Sequence, residues 1–171
     1  MAGFMTHVRT ERRLSEHTCQ AYQRDIEMFC CYTKLTAWSA VTVHEVRQFI
    51  AYRRRQGSGG KSIQRLLSSL RTFYQYLLRE KLVEINPVIG IKAPKSKSKL
   101  PSVLDVDQMN RLLSVSEEDR LAVRDLAIME LLYSSGLRLS ELVALDVMDV
   151  DLIDWVVRVL GKGQKMRIVP V

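Results

Sequence analysis

The sequence predicts a mainly α chain, α+β overall: a helical N-terminal domain, then a second domain that opens with helices and ends in a β-hairpin. Three observations predict it. Apolar residues recur at helical spacing through 61–80, β-rich strings stand on either side of a GKGQ turn after 155, and the positive charge gathers before residue 96. The 171 residues carry a net charge of +7, with 47% hydrophobic and 26% charged residues, a globular balance. Residues 1–95 hold 16 Lys and Arg against 7 Asp and Glu, whereas 96–171 hold 10 against 12. A basic half beside a near-neutral half is the electrostatic footprint of a polyanion partner on one domain, although a basic solvated face gives the same count. No run approaches the roughly 18 apolar residues of a membrane span, and MAGFMTHVRTERR has no signal-peptide core. Cys19, Cys30 and Cys31 lack C-x-x-C spacing, which excludes a disulfide framework and a zinc finger. They are expected as reduced thiols, buried or half-buried, in a cytoplasmic protein.

Element by element, Ser15 is placed to cap a helix to about Thr33, with Ala21, Tyr22, Ile26, Phe29 and Cys30 as its apolar stripe. Thr42 and Glu45 have capping-box spacing and open a second helix through Val46, Phe49 and Ile50 to Arg55. The GSGG string at 57–60 breaks it. A third helix is predicted from about Lys61 to Glu80. At 100° per residue, Ile63, Leu66, Leu67, Leu70, Phe73, Tyr74, Leu77 and Leu78 share an arc of about 140°. Lys61, Arg65, Ser68, Thr72 and Arg79 lie opposite. Residues 1–84 therefore form the helical domain. Pro87, Pro94 and Pro101 with Lys92, Lys95, Lys97 and Lys99 mark 85–101 as a basic interdomain linker.

The second domain, 102–171, begins with a short helix capped by Asp105 and Gln108, with Met109, Leu112 and Leu113 apolar. A longer helix spans about Asp119 to Ser135 and stops at Gly136 in a left-handed cap. LSELVAL, 139–145, is a further helix; WVVRVL, 155–160, and MRIVPV pair as strands across a GKGQ turn. A two-stranded hairpin with an apolar edge is marginal by itself, so the domain is expected to be incomplete at its C-terminal end.

Two strings carry chemistry. Arg138 follows the Gly136 stop at the start of a helix, where a planar, always-charged guanidinium beside outward backbone N–H groups suits a phosphate. Glu141, three residues on, shares its face and is placed to hold Arg138, although a plain surface pair fits the same spacing. Lys162 sits in the hairpin turn, where a lysine can protonate an oxygen leaving phosphate; an ordinary solvated turn reads the same. The string is no P-loop, for G-x-x-x-x-G-K-[ST] is absent and no helix follows.

GLRLSELVAL followed by GKGQKMRIVPV, with Lys162 standing 24 residues after Arg138, resembles the tyrosine recombinase (phage integrase) family, Xer type. DVDQMNRLLSVSEEDRLAVRDLAIMELLYSSG is similar to the start of that family's catalytic domain. ERRLSEHTCQAYQRDIEMF and RTFYQYLLRE resemble its helical, SAM-like core-binding domain. The resemblance implies site-specific DNA strand exchange through a 3′-phosphotyrosyl intermediate, with no metal and no cofactor. Its partners would be a double-stranded DNA recombination site and further protomers, as a homo- or hetero-tetramer on two sites. No small-molecule substrate and no membrane is implied, and the task would be chromosome or plasmid dimer resolution in the cytoplasm. It makes Arg138 the first catalytic arginine, Lys162 the general acid to the leaving 5′-oxygen, and Glu141 a supporting acid.

The family's H-x-x-R pair, further His or Trp and nucleophilic Tyr follow the hairpin, but His7, His17 and His44 lie in the helical domain and no Tyr follows Tyr133. Tyr22, Tyr74, Tyr76 and Tyr133 all read as core residues, which leaves no nucleophile and predicts a chain that binds DNA without cleaving it. Candidate DNA contacts are Arg53, Arg54, Arg55, Lys61, Arg65, Arg71 and Arg79 in the helical domain and Lys95, Lys97 and Lys99 in the linker. Ser62, Ser68 and Thr72 have hydroxyls for phosphates. The alternative from another class is a non-catalytic DNA-binding protein that occupies recombination sites or regulates transcription. A helical protein-interaction module with an incidental basic face is the third.

Overall fold

The computed structural model describes residues 1–34, 37–94, 102–114, 120–161 and 165–171. It divides into two compact units, Met1–Lys99 and Leu100–Val171. The fold is mainly α with one small antiparallel sheet.

The first unit is helical. Helix α1 (Ala2–Thr6) runs into a π-helical turn, His7–Glu11. Then follow α2 (Glu16–Thr33), α3 (Val43–Arg55) and α4 (Gly60–Arg79). Ser15 caps α2 by accepting from the Thr18 N–H, and Thr42 and Glu45 make the expected reciprocal box on α3. Helix α4 buries Ile63, Leu66, Leu67, Leu70, Phe73, Tyr74 and Leu77, the arc that its spacing predicts. These meet Ile26 and Phe29 of α2 and Val46, Phe49 and Ile50 of α3 in one core.

The N-terminal segment, for which no element was predicted, belongs to that core. Phe4 is fully buried with its ring edge-on to Phe73 at 5.0 Å. His7 stacks on Tyr76, and Glu11 pairs with Arg79 at 2.9 Å. The described part of the segment expected as a linker, 85–94, also packs on that core. Val88 and Ile91 are buried in the helical core, and the Arg71 guanidinium donates to the Ile91 carbonyl. Pro87 and Pro94 forbid a helix there but do not stop the chain from packing as an irregular strap. Cys19 is buried and Cys30 half-buried, but Cys31, expected at least half-buried, is exposed.

The second unit holds α5 (Val106–Leu113), α6 (Arg120–Ser135), α7 (Leu139–Val143) and strands β1 (Val150–Asp151), β2 (Val156–Leu160) and β3 (Met166–Pro170). The sheet has order β1-β2-β3, so the predicted hairpin gains a third strand. The carboxylate of Asp151 accepts from the Ile153 and Asp154 N–H groups and closes the β1–β2 turn. Trp155, expected in a strand, stands in that turn at φ 52° and is exposed. Gly136 ends α6 at φ 59°, the left-handed stop that the sequence predicts. Val157, Val159 and Leu137 form a small core. Leu131 and Leu132 of α6 pack on it, which turns Tyr133, one position on, outward at 57% exposure; its expected core placement is thereby corrected.

Candidate phosphate clamp and nucleic-acid interface

In the second unit, Arg138 is the cap residue of α7, and its backbone N–H donates to Glu141 Oε2 at 2.8 Å. Its Nη1 donates to Glu141 Oε1 at 3.0 Å, while 67% of its side chain stays open to solvent. Helix α7 has only five residues, so charge and shape at this site come from guanidinium groups rather than a helix dipole. Glu141 itself is buried.

The residue that sequence reasoning missed is Arg167. Its Nη1 and Nη2 donate to the two Glu141 oxygens at 2.6 and 2.8 Å, a bidentate fork. Strand alternation explains how it arrives there. Arg167 pairs with Val159 across β2–β3 and shares the inward side with Val169, a period-2 signal already present in MRIVPV. Two guanidiniums and one carboxylate leave the cluster with net positive charge. Arg167 first, then the Arg138 N–H, draw the Glu141 carboxyl down to about 2, so it is ionised at any physiological pH. Gly161 keeps room for the fork: a Cβ there would stand 3.0 Å from Arg167 Nη1 and 3.3 Å from the Lys165 carbonyl. Lys162 lies outside the described residues.

In the first unit, the seven basic candidates separate by what already holds them. Arg71 donates to the Ile91 carbonyl, and Arg79 pairs with Glu11 at 2.9 Å and Glu80 at 3.0 Å. Arg54 and Arg55 at the end of α3 and Lys61 on α4 are exposed, and Arg53 is partly so. The Thr72 hydroxyl is bonded to the Ser68 carbonyl. Lys95, Lys97 and Lys99 lie outside the described residues.

Arg65 differs from all of these. It stands between two clefts, one of about 680 Å³ bearing Arg24 and Arg53, the other of about 510 Å³ bearing His17, Lys61 and Gln64. Its Nη1 donates to Asp25 Oδ2 at 2.7 Å and to the Ala21 carbonyl at 3.1 Å. Asp25 has no exposed surface, and burial pushes its carboxyl up while Arg65 and the Ser69 hydroxyl pull it down. Asp25 and Ser69 were also missed. Asp25 stands three residues after Tyr22 and four before Phe29, so its place on the apolar stripe of α2 was the available signal.

Among the described residues no group of three or more metal-binding side chains occurs, and no helix is long and apolar enough to cross a membrane.

Two family models match the chain. Residues 1–81 match the phage integrase N-terminal SAM-like domain, and residues 102–171 match the phage integrase family. The chain is 50% identical over 170 residues to the tyrosine recombinase XerC of Alcanivorax borkumensis, covering 98% of this chain and 55% of that protein. It is 45% identical over 173 residues to the XerC of Pseudomonas syringae pv. tomato, covering 99% and 58% respectively. The chain thus spans a little over half the length of these curated relatives. Its fold resembles a lambda integrase dimer bound to a COC′ core site, with TM-score 0.73, 18% identity and coverage of 99% of this chain and 59% of that one. It resembles the Tn1549 transposon integrase in complex with circular intermediate DNA at TM-score 0.72 and 17% identity, covering 98% and 59%.

Proposed function

Because the chain belongs to the phage integrase family of tyrosine recombinases, we propose that it serves site-specific DNA recombination of the Xer type. The helical unit grips duplex DNA, and the second unit supplies the first part of a phosphate-activating site. One observation carries the reading: the Arg138 guanidinium is held by Glu141 through Nη1 alone, and the side chain stays 67% open to solvent. A guanidinium so placed binds the non-bridging oxygens of a scissile phosphate as negative charge builds on them. In the family reaction a tyrosine oxygen attacks that phosphate, the bond to the 5′-oxygen breaks as that oxygen takes a proton from the hairpin lysine, and the 3′-phosphotyrosyl ester formed in its place keeps the energy for rejoining. Lys162 takes the lysine role here. The partners are a DNA recombination site and further recombinase protomers in a tetramer, and the reaction resolves chromosome or plasmid dimers in the cytoplasm.

By itself the 171-residue chain, with no tyrosine after Tyr133, binds DNA without cleaving it. The test uses a nicked suicide duplex carrying the recombination site. A version extended through an H-x-x-R pair and a downstream tyrosine is expected to form a covalent 3′-phosphate adduct. Arg138→Ala in that version abolishes the adduct and leaves site binding largely intact. Unchanged cleavage by that variant, or an adduct with the 171-residue chain alone, contradicts the assignment.

A further inference from the structure

We propose that Arg65 reads base identity for the helical unit, donating to a guanine edge in the major groove, while its basic neighbours hold phosphates. The proposal rests on the DNA-binding reading above and goes beyond it to one specificity-determining side chain.

A side chain that discriminates between bases needs a fixed orientation and two donors free to point outward. A side chain that follows a phosphate needs only charge and reach. Among the described basic residues of the unit, Arg65 is the one whose guanidinium is tethered to a fully buried carboxylate on another helix, and it meets the first description. Both protons of Nη1 are taken, by Asp25 Oδ2 at 2.7 Å and the Ala21 carbonyl at 3.1 Å. The side chain is 44% exposed, and its Nε and Nη2 have no partner among the described residues. Those two nitrogens form the side-on fork of the guanidinium, the geometry that matches guanine O6 and N7.

The tether is built into the core rather than the surface. Asp25 is completely buried on α2, with Ser69 Oγ 3.3 Å from the same carboxylate oxygen. Its Oδ1 is buried without a hydrogen-bond partner among the described residues, so Arg65 and the Ser69 hydroxyl, both on Oδ2, are what compensate the carboxylate. Arg65 lies in the second turn of α4, with Lys61, Ser62, Gln64 and Ser68 exposed around it. By contrast, among the described residues Arg54, Arg55 and Lys61 are exposed without a tether to another helix, and Arg24 is bonded to Gln20 of its own helix. Those side chains have the freedom to follow a backbone and lack the fixed fork to read an edge.

The experiment selects bound duplexes from a pool randomised over more than one helical turn, using the whole chain. It then measures affinities of the selected duplex and of the same duplex with one guanine replaced by 7-deazaguanine or adenine. The wild-type chain is expected to enrich a guanine position and to lose affinity there by roughly 10- to 100-fold on replacement. Arg65→Lys keeps the charge and the fold but lacks the fork; it binds with the same salt slope and no longer discriminates at that position. Asp25→Asn, with helicity checked by circular dichroism, weakens discrimination in the same way. Arg54→Ala flattens the salt slope by about one and keeps the guanine preference. Retained guanine preference in Arg65→Lys overturns the proposal, as does a wild-type chain that binds duplexes but enriches no guanine. Absence of salt-dependent duplex binding overturns the DNA-binding reading along with it.

Discussion

At the scale of single residues, the second unit turns on one carboxylate shared by two arginines. Glu141 is held down to about 2, from an ordinary 4.5, by Arg167 first and Arg138 next. A depressed carboxyl pKa contributes stability that is fully present above pH 4.5 and is lost as pH falls toward 2. Arg167→Gln is therefore expected to move the Glu141 midpoint up toward the ordinary value, read by carbon-13 chemical shift. A midpoint unmoved by the substitution would show that Arg138 alone sets it. The Arg138–Glu141 pair was legible because i,i+3 spacing on a helix needs no tertiary knowledge. Arg167 was not, because its partner lies 26 residues away and is reached only once β3 pairs with β2. Asp25 was hidden for a similar reason, since an aspartate inside an apolar stripe reads as a break until Arg65 is placed opposite it.

Among elements, α4 shows what periodicity reveals and what it conceals. Its buried arc follows from 3.6-residue spacing, and Leu70 is fully buried within it. Leu70→Ala is expected to cost about 2–5 kcal/mol, read as a lowered urea midpoint with unchanged slope. A loss within experimental error would place Leu70 outside the core. The N-terminal segment shows the opposite case. Five residues of α1 carry too few turns for a helical pattern to register, yet Phe4 fills the space beside Phe73. Phe4→Ala is expected to cost about 3–5 kcal/mol in the same assay. The prolines of 85–94 mark a linker because local rules see a broken helix, and they do not show the buried Val88 and Ile91 that strap the segment down.

Across the whole molecule, composition foretold two parts with different tasks, and both family matches fall on those parts. Fold class and family were legible because helix spacing and the GLRLSEL and GKGQ strings are local features. The third strand was not, because Val150–Asp151 is too short to alternate and its pairing with β2 is made through the Asp151 turn. The division of the basic residues was equally invisible to charge counting, since Arg71 and Arg79 differ from Arg54 and Lys61 only in what they touch. The surplus charge of the helical unit is the basis of the central claim, that this unit grips duplex DNA through its phosphates. The most direct test is fluorescence anisotropy of the whole chain on labelled duplex across a salt series. The affinity is expected to fall linearly on a double-logarithmic plot, with a slope of about −0.9 per phosphate neutralised. An affinity that does not change with salt, or no binding at low salt, would contradict it.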